Sequence, residues 1–198
     1  MDKKPIKGEY LEVLLRSSKT IFSTKDVALL WGETKETTIT SRLNKYVKAG
    51  KLVRVRRGLY AKDKSYNRLE FATRIYTPAY VSLETVLKKE GMIFQYYETI
   101  FVISYLTREI ICDSQKYSFK KIKDPTLSNS AGIEHKEGYA IASLERAFLD
   151  TMYINKDYYF DNLLPLNWDK VFEILPIYNN QRMLKKVKKI YKKFKEEQ

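Results

Sequence analysis

Between residues 35 and 48, one side of a predicted helix reads Lys35, Thr37, Thr38, Thr40, Ser41, Arg42, Lys45 and Lys48. Threonine and serine are weaker helix formers than Glu, Lys or Gln, so three threonines and a serine on one exposed face ask for a reason beyond solvation. Hydroxyls and amines at helical spacing suit contacts with phosphates and base edges in a DNA major groove. Close behind comes Lys51-Leu52-Val53-Arg54-Val55-Arg56-Arg57-Gly58-Leu59-Tyr60-Ala61. Two β-rich runs flank Arg56-Arg57-Gly58, and the glycine permits a tight turn. On such a hairpin Arg54, Arg56 and Arg57 can reach backbone phosphate or a minor groove, where the negative potential is focused. The alternative for these arginines is a charged strand edge that blocks further strand addition.

A second pattern has the form of a metal-dependent nuclease. Asp113 precedes Glu134-His135-Lys136. Two carboxylates can bind Mg²⁺ while a lysine stabilises the charged transition state. In a chain with 31% charged residues this spacing arises readily by chance, and two hairpins with surface charges are the simpler reading. His135 has no serine or cysteine nucleophile beside it in a recognisable motif. Cys112 lies in a strand-like run and is expected to be buried and inert. One histidine and one cysteine cannot build a zinc finger. The seven glycines are scattered singly, so no loop cradles a phosphate. No cofactor, no metal and no enzymatic activity are expected.

The elements that would position these residues follow from local spacing. Ile6, Tyr10, Val13 and Leu14 form one face of a helix over about 6–17. Ser23, three residues before Asp26, is a candidate N-cap for a short helix over 24–30, to which Val27, Leu29, Leu30 and Trp31 supply apolar positions. Gly32 suits the turn to the third helix, 34–49, whose apolar face is Ile39, Leu43, Tyr46 and Val47 and which Gly50 closes. Three helices and a hairpin make a winged helix-turn-helix, with the third helix in the major groove. After a linker near Ser65 come a helix over 67–76, ended by Pro78, and a helix with Ser82 as candidate N-cap, Thr85 at the capping-box position and Gly91 as stop. Strands are expected at 100–106, 109–112, 116–122, 133–136 and 139–141, then helices over 142–153, 168–176 and 179–196. The expected class is α+β: an N-terminal winged helix-turn-helix over 1–66, then a mixed domain over 67–198 with a small antiparallel sheet and flanking helices.

Charge agrees with that division. The chain of 198 residues carries +13. Residues 1–66 contribute +9, residues 67–166 contribute −1 and residues 167–198 contribute +5. A strongly basic first unit points to a polyanionic partner such as duplex DNA. The last helix sets Leu184, Val187, Ile190, Tyr191 and Phe194 on one face and lysines on the rest. Such a helix packs on its own domain with solvated lysines, or binds acidic protein, nucleic acid or a membrane surface. No apolar run reaches membrane-spanning length. The first residues, Met1-Asp2-Lys3-Lys4-Pro5, lack a secretory apolar segment. With a single cysteine, the expected compartment is the cytoplasm.

Three blocks occur in order: Leu52 to Ala61; Tyr80-Val81-Ser82-Leu83-Glu84-Thr85-Val86-Leu87 with Gly91; and Gly138-Tyr139-Ala140-Ile141-Ala142-Ser143-Leu144-Glu145-Arg146-Ala147-Phe148-Leu149-Asp150. Together they resemble the AbiEi family of antitoxins from abortive-infection, type IV toxin–antitoxin systems, across nearly the whole chain. The resemblance implies that the N-terminal domain binds inverted repeats in its own promoter and represses the operon. It implies that the C-terminal domain counters a nucleotidyltransferase-like toxin, with no stable complex assumed. No catalytic motif carries over, and the DNA-contacting part falls on the third helix and the wing. The alternative is a stand-alone winged-helix regulator whose C-terminal half senses a ligand or dimerises. A Mg²⁺-dependent nuclease is the more distant one.

Overall fold

Ser23 ends a strand and starts a helix. Its Oγ accepts from the Asp26 amide at 3.1 Å, and the Asp26 carboxylate accepts from the Ser23 amide at 2.9 Å. This reciprocal cap satisfies two otherwise orphaned donors and opens α2 (Thr24–Trp31). The computed structural model describes residues 8–196. Before the cap lie α1 (Glu9–Arg16) and β1 (Ile21–Ser23); Ile6, expected at the start of the first helix, lies outside the described residues. Gly32 ends α2 in the left-handed region at φ 57, where glycine carries no Cβ penalty. Then come α3 (Glu36–Lys48), β2 (Val53–Arg56) and β3 (Leu59–Ala61). β1, which the sequence reading did not anticipate, pairs antiparallel with β3 and completes a three-stranded sheet in the order β1-β3-β2. Leu14, Phe22, Val27, Trp31, Ile39, Leu43, Leu52 and Tyr60 fill the core beneath it.

The remaining chain runs α4 (Arg68–Ile75), β4 (Ala79–Val81), α5 (Glu84–Lys89), β5 (Ile100–Ser104), β6 (Arg108–Cys112) and β7 (Gln115–Lys121). It continues through α6 (Asp124–Leu127), β8 (Ile133–Lys136), β9 (Tyr139–Ala142), α7 (Leu144–Ile154), α8 (Trp168–Ile174), a 3₁₀ turn (Leu175–Tyr178) and α9 (Gln181–Glu196). The class is α+β. The second sheet is larger than expected: six strands in the order β6-β7-β5-β4-β9-β8. It is mixed, because β4 runs parallel to β9 and β5 to β7, while the hairpins β6–β7 and β8–β9 are antiparallel as anticipated.

Both faces of this sheet are covered. In β5, Ile103 points into a core with α5, α7, α8 and α9, whereas Val102 points the other way, into a core with Phe71, Ala72, Ile21, Leu59 and Ala61. Period-2 alternation makes this possible. The second core joins residues from both sides of position 66, so the small sheet of the winged helix lies against the large one. Ser82 does not cap α5. Leu83 precedes the helix, and the Ser82 hydroxyl donates to Asp150 at 2.8 Å. Thr85, expected at the capping-box position, accepts from the Phe101 amide at 2.7 Å and so ties α5 to β5.

Candidate nucleic-acid interface

α3 divides as the spacing predicts. Ile39 and Leu43 are buried, and Thr37, Ser41, Lys45 and Lys48 are exposed. Thr37, Ser41 and Lys45 follow one another four residues apart and so share a face. With Thr38 and Arg42 they line a shallow concavity of about 350 Å³. Five of the predicted contact residues are thus brought together. Lys35 stands exposed at the N-cap position, giving no side-chain cap to the helix.

Arg42 differs from the expectation of a freely extended groove contact. It is half-buried. Its guanidinium carbon sits 3.5 Å from the centre of the Tyr10 ring and 5.5 Å from that of Trp31. A planar cation over an aromatic face is attracted by the ring quadrupole, and this holds the side chain against α1. Trp31 is itself locked, its indole N–H donating to the Tyr10 carbonyl at 2.8 Å. Arg42 Nη1 is buried with no hydrogen-bond partner among the described residues, a costly state for a charged donor. Tyr10 and Trp31 entered the sequence reading only as apolar positions of their helices. Their role in holding Arg42 carries no local sequence signal.

The wing places its charges outward. Val53 and Val55 are half-buried and Arg54 and Arg56 exposed; Arg57 is exposed at the turn. Gly58, at φ 77, takes a conformation that side-chain-bearing residues adopt at a cost. A bulge between Arg54 and Arg56 shifts the pairing, so that Arg54 faces Tyr60 and Arg56 faces Leu59. Lys45, Arg54, Arg56 and Arg57 form no ion pair among the described residues. Behind the wing, Cys112 Sγ donates to the Val55 carbonyl at 3.6 Å. Cys112 is half-buried rather than fully buried; burial pushes its thiol up, and nearby Asp113 adds to that. The thiol braces the hairpin against β6.

A polar seam orients the winged helix on the sheet. Glu70 of α4 is buried. Its Oε2 accepts from the Thr20 amide at 2.8 Å and from the Thr20 hydroxyl at 2.7 Å. Arg74 reaches Glu70 at 3.3 Å and Asp26 at 2.7 Å, and Lys19 meets the other Asp26 oxygen at 2.7 Å. Burial works to raise the Asp26 carboxyl, but bonds from Lys19 and Ser23 and the charge of Arg74 hold it at about 2. From the sheet side, Gly138 turns the β8–β9 hairpin over Glu70. A Cβ there would lie 2.7 Å from the Glu70 carboxyl carbon, so the close approach requires glycine.

The nuclease pattern is not assembled. Asp113 lies at the end of β6 and Glu134 and Lys136 on β8, the opposite edges of the six-stranded sheet. Five strand spacings put them on the order of 24 Å apart. Asp113 accepts from the Tyr66 hydroxyl at 2.7 Å, and Glu134 pairs with Lys136 at 2.7 Å. His135 is exposed. Among the described residues no three His, Cys, Asp or Glu side chains are grouped to hold a metal ion, and no helix is long and apolar enough to cross a membrane.

These features define an α+β protein whose winged helix presents a hydroxyl- and cation-bearing face. No protein-family model matches the chain, and no curated protein matches it.

Proposed function

We propose that the chain binds duplex DNA through α3 and the wing and represses transcription by occupying inverted repeats in its own promoter. One observation carries this reading. Thr37, Thr38, Ser41, Arg42 and Lys45 line a single concavity on α3, while Arg54, Arg56 and Arg57 stand exposed on the following hairpin, without an ion pair among the described residues. A surface that keeps cations free of carboxylates is suited to a polyanion, because binding then releases the counterions condensed on the phosphates. The hydroxyls can meet phosphates or base edges. The resemblance to AbiEi antitoxins extends the proposal. On that likeness the protein is a cytoplasmic antitoxin of a type IV abortive-infection system, its C-terminal half countering a nucleotidyltransferase-like toxin without a required stable complex.

Charge removal on the wing tests the DNA reading. The double variant Arg56→Ala/Arg57→Ala, with a fluorescent duplex from the upstream region, should bind more weakly. Its slope of log K against log salt should be shallower by about 0.9 for each phosphate that the wing no longer neutralises. An unaltered slope takes the wing out of the interface. The antitoxin reading is tested with the same full-length variant, co-expressed with the adjacent gene. Retained growth rescue alongside abolished DNA binding separates the two activities, and failure of the wild-type chain to rescue removes the antitoxin.

A further inference from the structure

Arg42 forms no ion pair among the described residues. Its neighbours are rings instead, with the guanidinium carbon 3.5 Å from the centre of Tyr10 and 5.5 Å from that of Trp31. Both rings are themselves held. Trp31 is wholly buried, and its indole N–H donates to the Tyr10 carbonyl at 2.8 Å. The Trp31 ring meets the Tyr10 ring edge-on, with centroids 5.2 Å apart and planes at 80°. It also meets Tyr46 of α3 edge-on, at 6.5 Å and 79°. An edge-on arrangement between Trp31 and Tyr10 satisfies the ring quadrupoles and leaves a Tyr10 face for the guanidinium.

We propose that Tyr10 of α1 is a positioning residue for DNA binding, acting through Arg42; the proposal rests on the DNA reading above. An aromatic face attracts a cation but carries no net charge. The stacked guanidinium therefore keeps its full positive charge for a phosphate, which a carboxylate in the same place would cancel. The stack also fixes a long side chain before binding, so less rotamer freedom is lost when DNA arrives. The direction is right as well: Arg42 lines the α3 concavity together with Thr37, Thr38, Ser41 and Lys45. Because Nη1 is buried, the guanidinium meets that concavity through its other N–H groups. α1 thus acts on recognition through α3, its ring setting where the Arg42 charge stands. Packing alone would ask only for an apolar side chain of similar size at position 10, and that difference makes the two roles separable.

Affinity of the full-length chain for a fluorescent duplex from the upstream region tests the assignment. Tyr10→Phe keeps the ring face and should bind as the wild type does. Tyr10→Leu should bind roughly two- to fivefold more weakly, the scale of one cation–π contact. Its slope of log K against log salt should not change, because no cation is lost. Pentafluorophenylalanine at position 10 keeps the shape of the ring but reverses its charge distribution, and should weaken binding at least as much as leucine does. That replacement keeps the experiment decisive should Tyr10→Leu melt early. In an Arg42→Ala background neither change should weaken binding further. Full affinity in the pentafluoro chain, or a loss that persists without Arg42, overturns the proposal. So does an equal loss in Tyr10→Phe, which would give the hydroxyl a contact of its own. A wild-type chain that does not bind the duplex removes the DNA reading itself, an outcome distinct from wild-type binding that is indifferent to position 10.

Discussion

α3 and α7 each carry an arginine beside hydroxyl and apolar neighbours, and the two side chains end in different surroundings. Arg146 of α7 is wholly buried. It meets Asp150 at 3.3 Å, the Ala131 carbonyl at 2.8 Å, the Thr126 carbonyl at 2.7 Å and the Tyr80 hydroxyl at 2.9 Å. Asp150 in turn accepts from Ser82 at 2.8 Å and Tyr178 at 2.7 Å. Burial pushes the Asp150 carboxyl up and the adjoining Arg146 charge opposes it. Arg42 of α3 has aromatic faces under it and an unpartnered Nη1. Side-chain type does not separate these roles. What separates them is the supply of acceptors from elements packed above the helix: β4, α6 and the 3₁₀ turn roof α7, and among the described residues nothing comparable roofs α3. The block from Gly138 to Asp150 is therefore a lock between elements, while α3 is a face left open.

The largest expected effect tests the closed side of that comparison. Arg146→Met leaves the Asp150 carboxylate buried without its cation. Breaking a buried pair from one side costs about 3–5 kcal/mol, so the urea midpoint should fall sharply at unchanged m value. Arg146→Met/Asp150→Leu should recover part of the loss, because no uncompensated charge then remains. A single-variant loss below about 1 kcal/mol would mean that the network is not a lock.

Asp26 lies between the two extremes, half-buried at the seam and paired with Lys19 and Arg74. Its carboxyl is lowered from 3.8 to about 2. A depressed carboxyl stabilises the fold above its unfolded value and loses that contribution as pH falls. The window here runs from roughly pH 4 down to roughly pH 2, and the contribution is about 2 kcal/mol. Urea unfolding across that window should show the wild type losing more stability than Asp26→Asn. Parallel acid limbs for the two chains would remove Asp26 from the orientation of the winged helix.

What was legible in the sequence was local. The Ser23–Asp26 cap, the left-handed Gly32, the apolar face of α3 and the two hairpins of the large sheet all rest on spacings of a few residues, and each stands in the structure. β1 and α6 have three and four residues, too few for any period to register. Sheet order depends on pairings far apart in sequence, so nothing local separates Asp113 from Glu134 across the sheet. Ser82 had the look of a cap because Thr85 follows at the right distance; a carboxylate 68 residues away takes its hydroxyl instead. The outward side chains of α3 were readable for the same local reason, and the stacking that draws Arg42 inward was not.

The smallest expected effect addresses the open side. Arg42→Lys keeps the positive charge but removes the planar group that stacks on Tyr10 and the Nη1 that lacks a partner. If Arg42 acts as a counter-charge alone, lysine serves equally and DNA affinity holds. If the stacked plane meets a phosphate oxygen across the concavity through an N–H other than the buried Nη1, lysine cannot reproduce the geometry, and affinity falls by about 1 kcal/mol, roughly fivefold. The salt slope should stay constant, because the number of cations near phosphate has not changed. Fold stability should move by less than about 1 kcal/mol, the scale of one partly exposed cation–π contact. Fluorescence anisotropy at several salt concentrations, with a urea curve beside it, reads all three. A drop in stability without a drop in affinity would make Arg42 a brace for α1 and α3, a partial counterpart of Arg146, and would narrow the open face to the three hydroxyls, Lys45 and the wing.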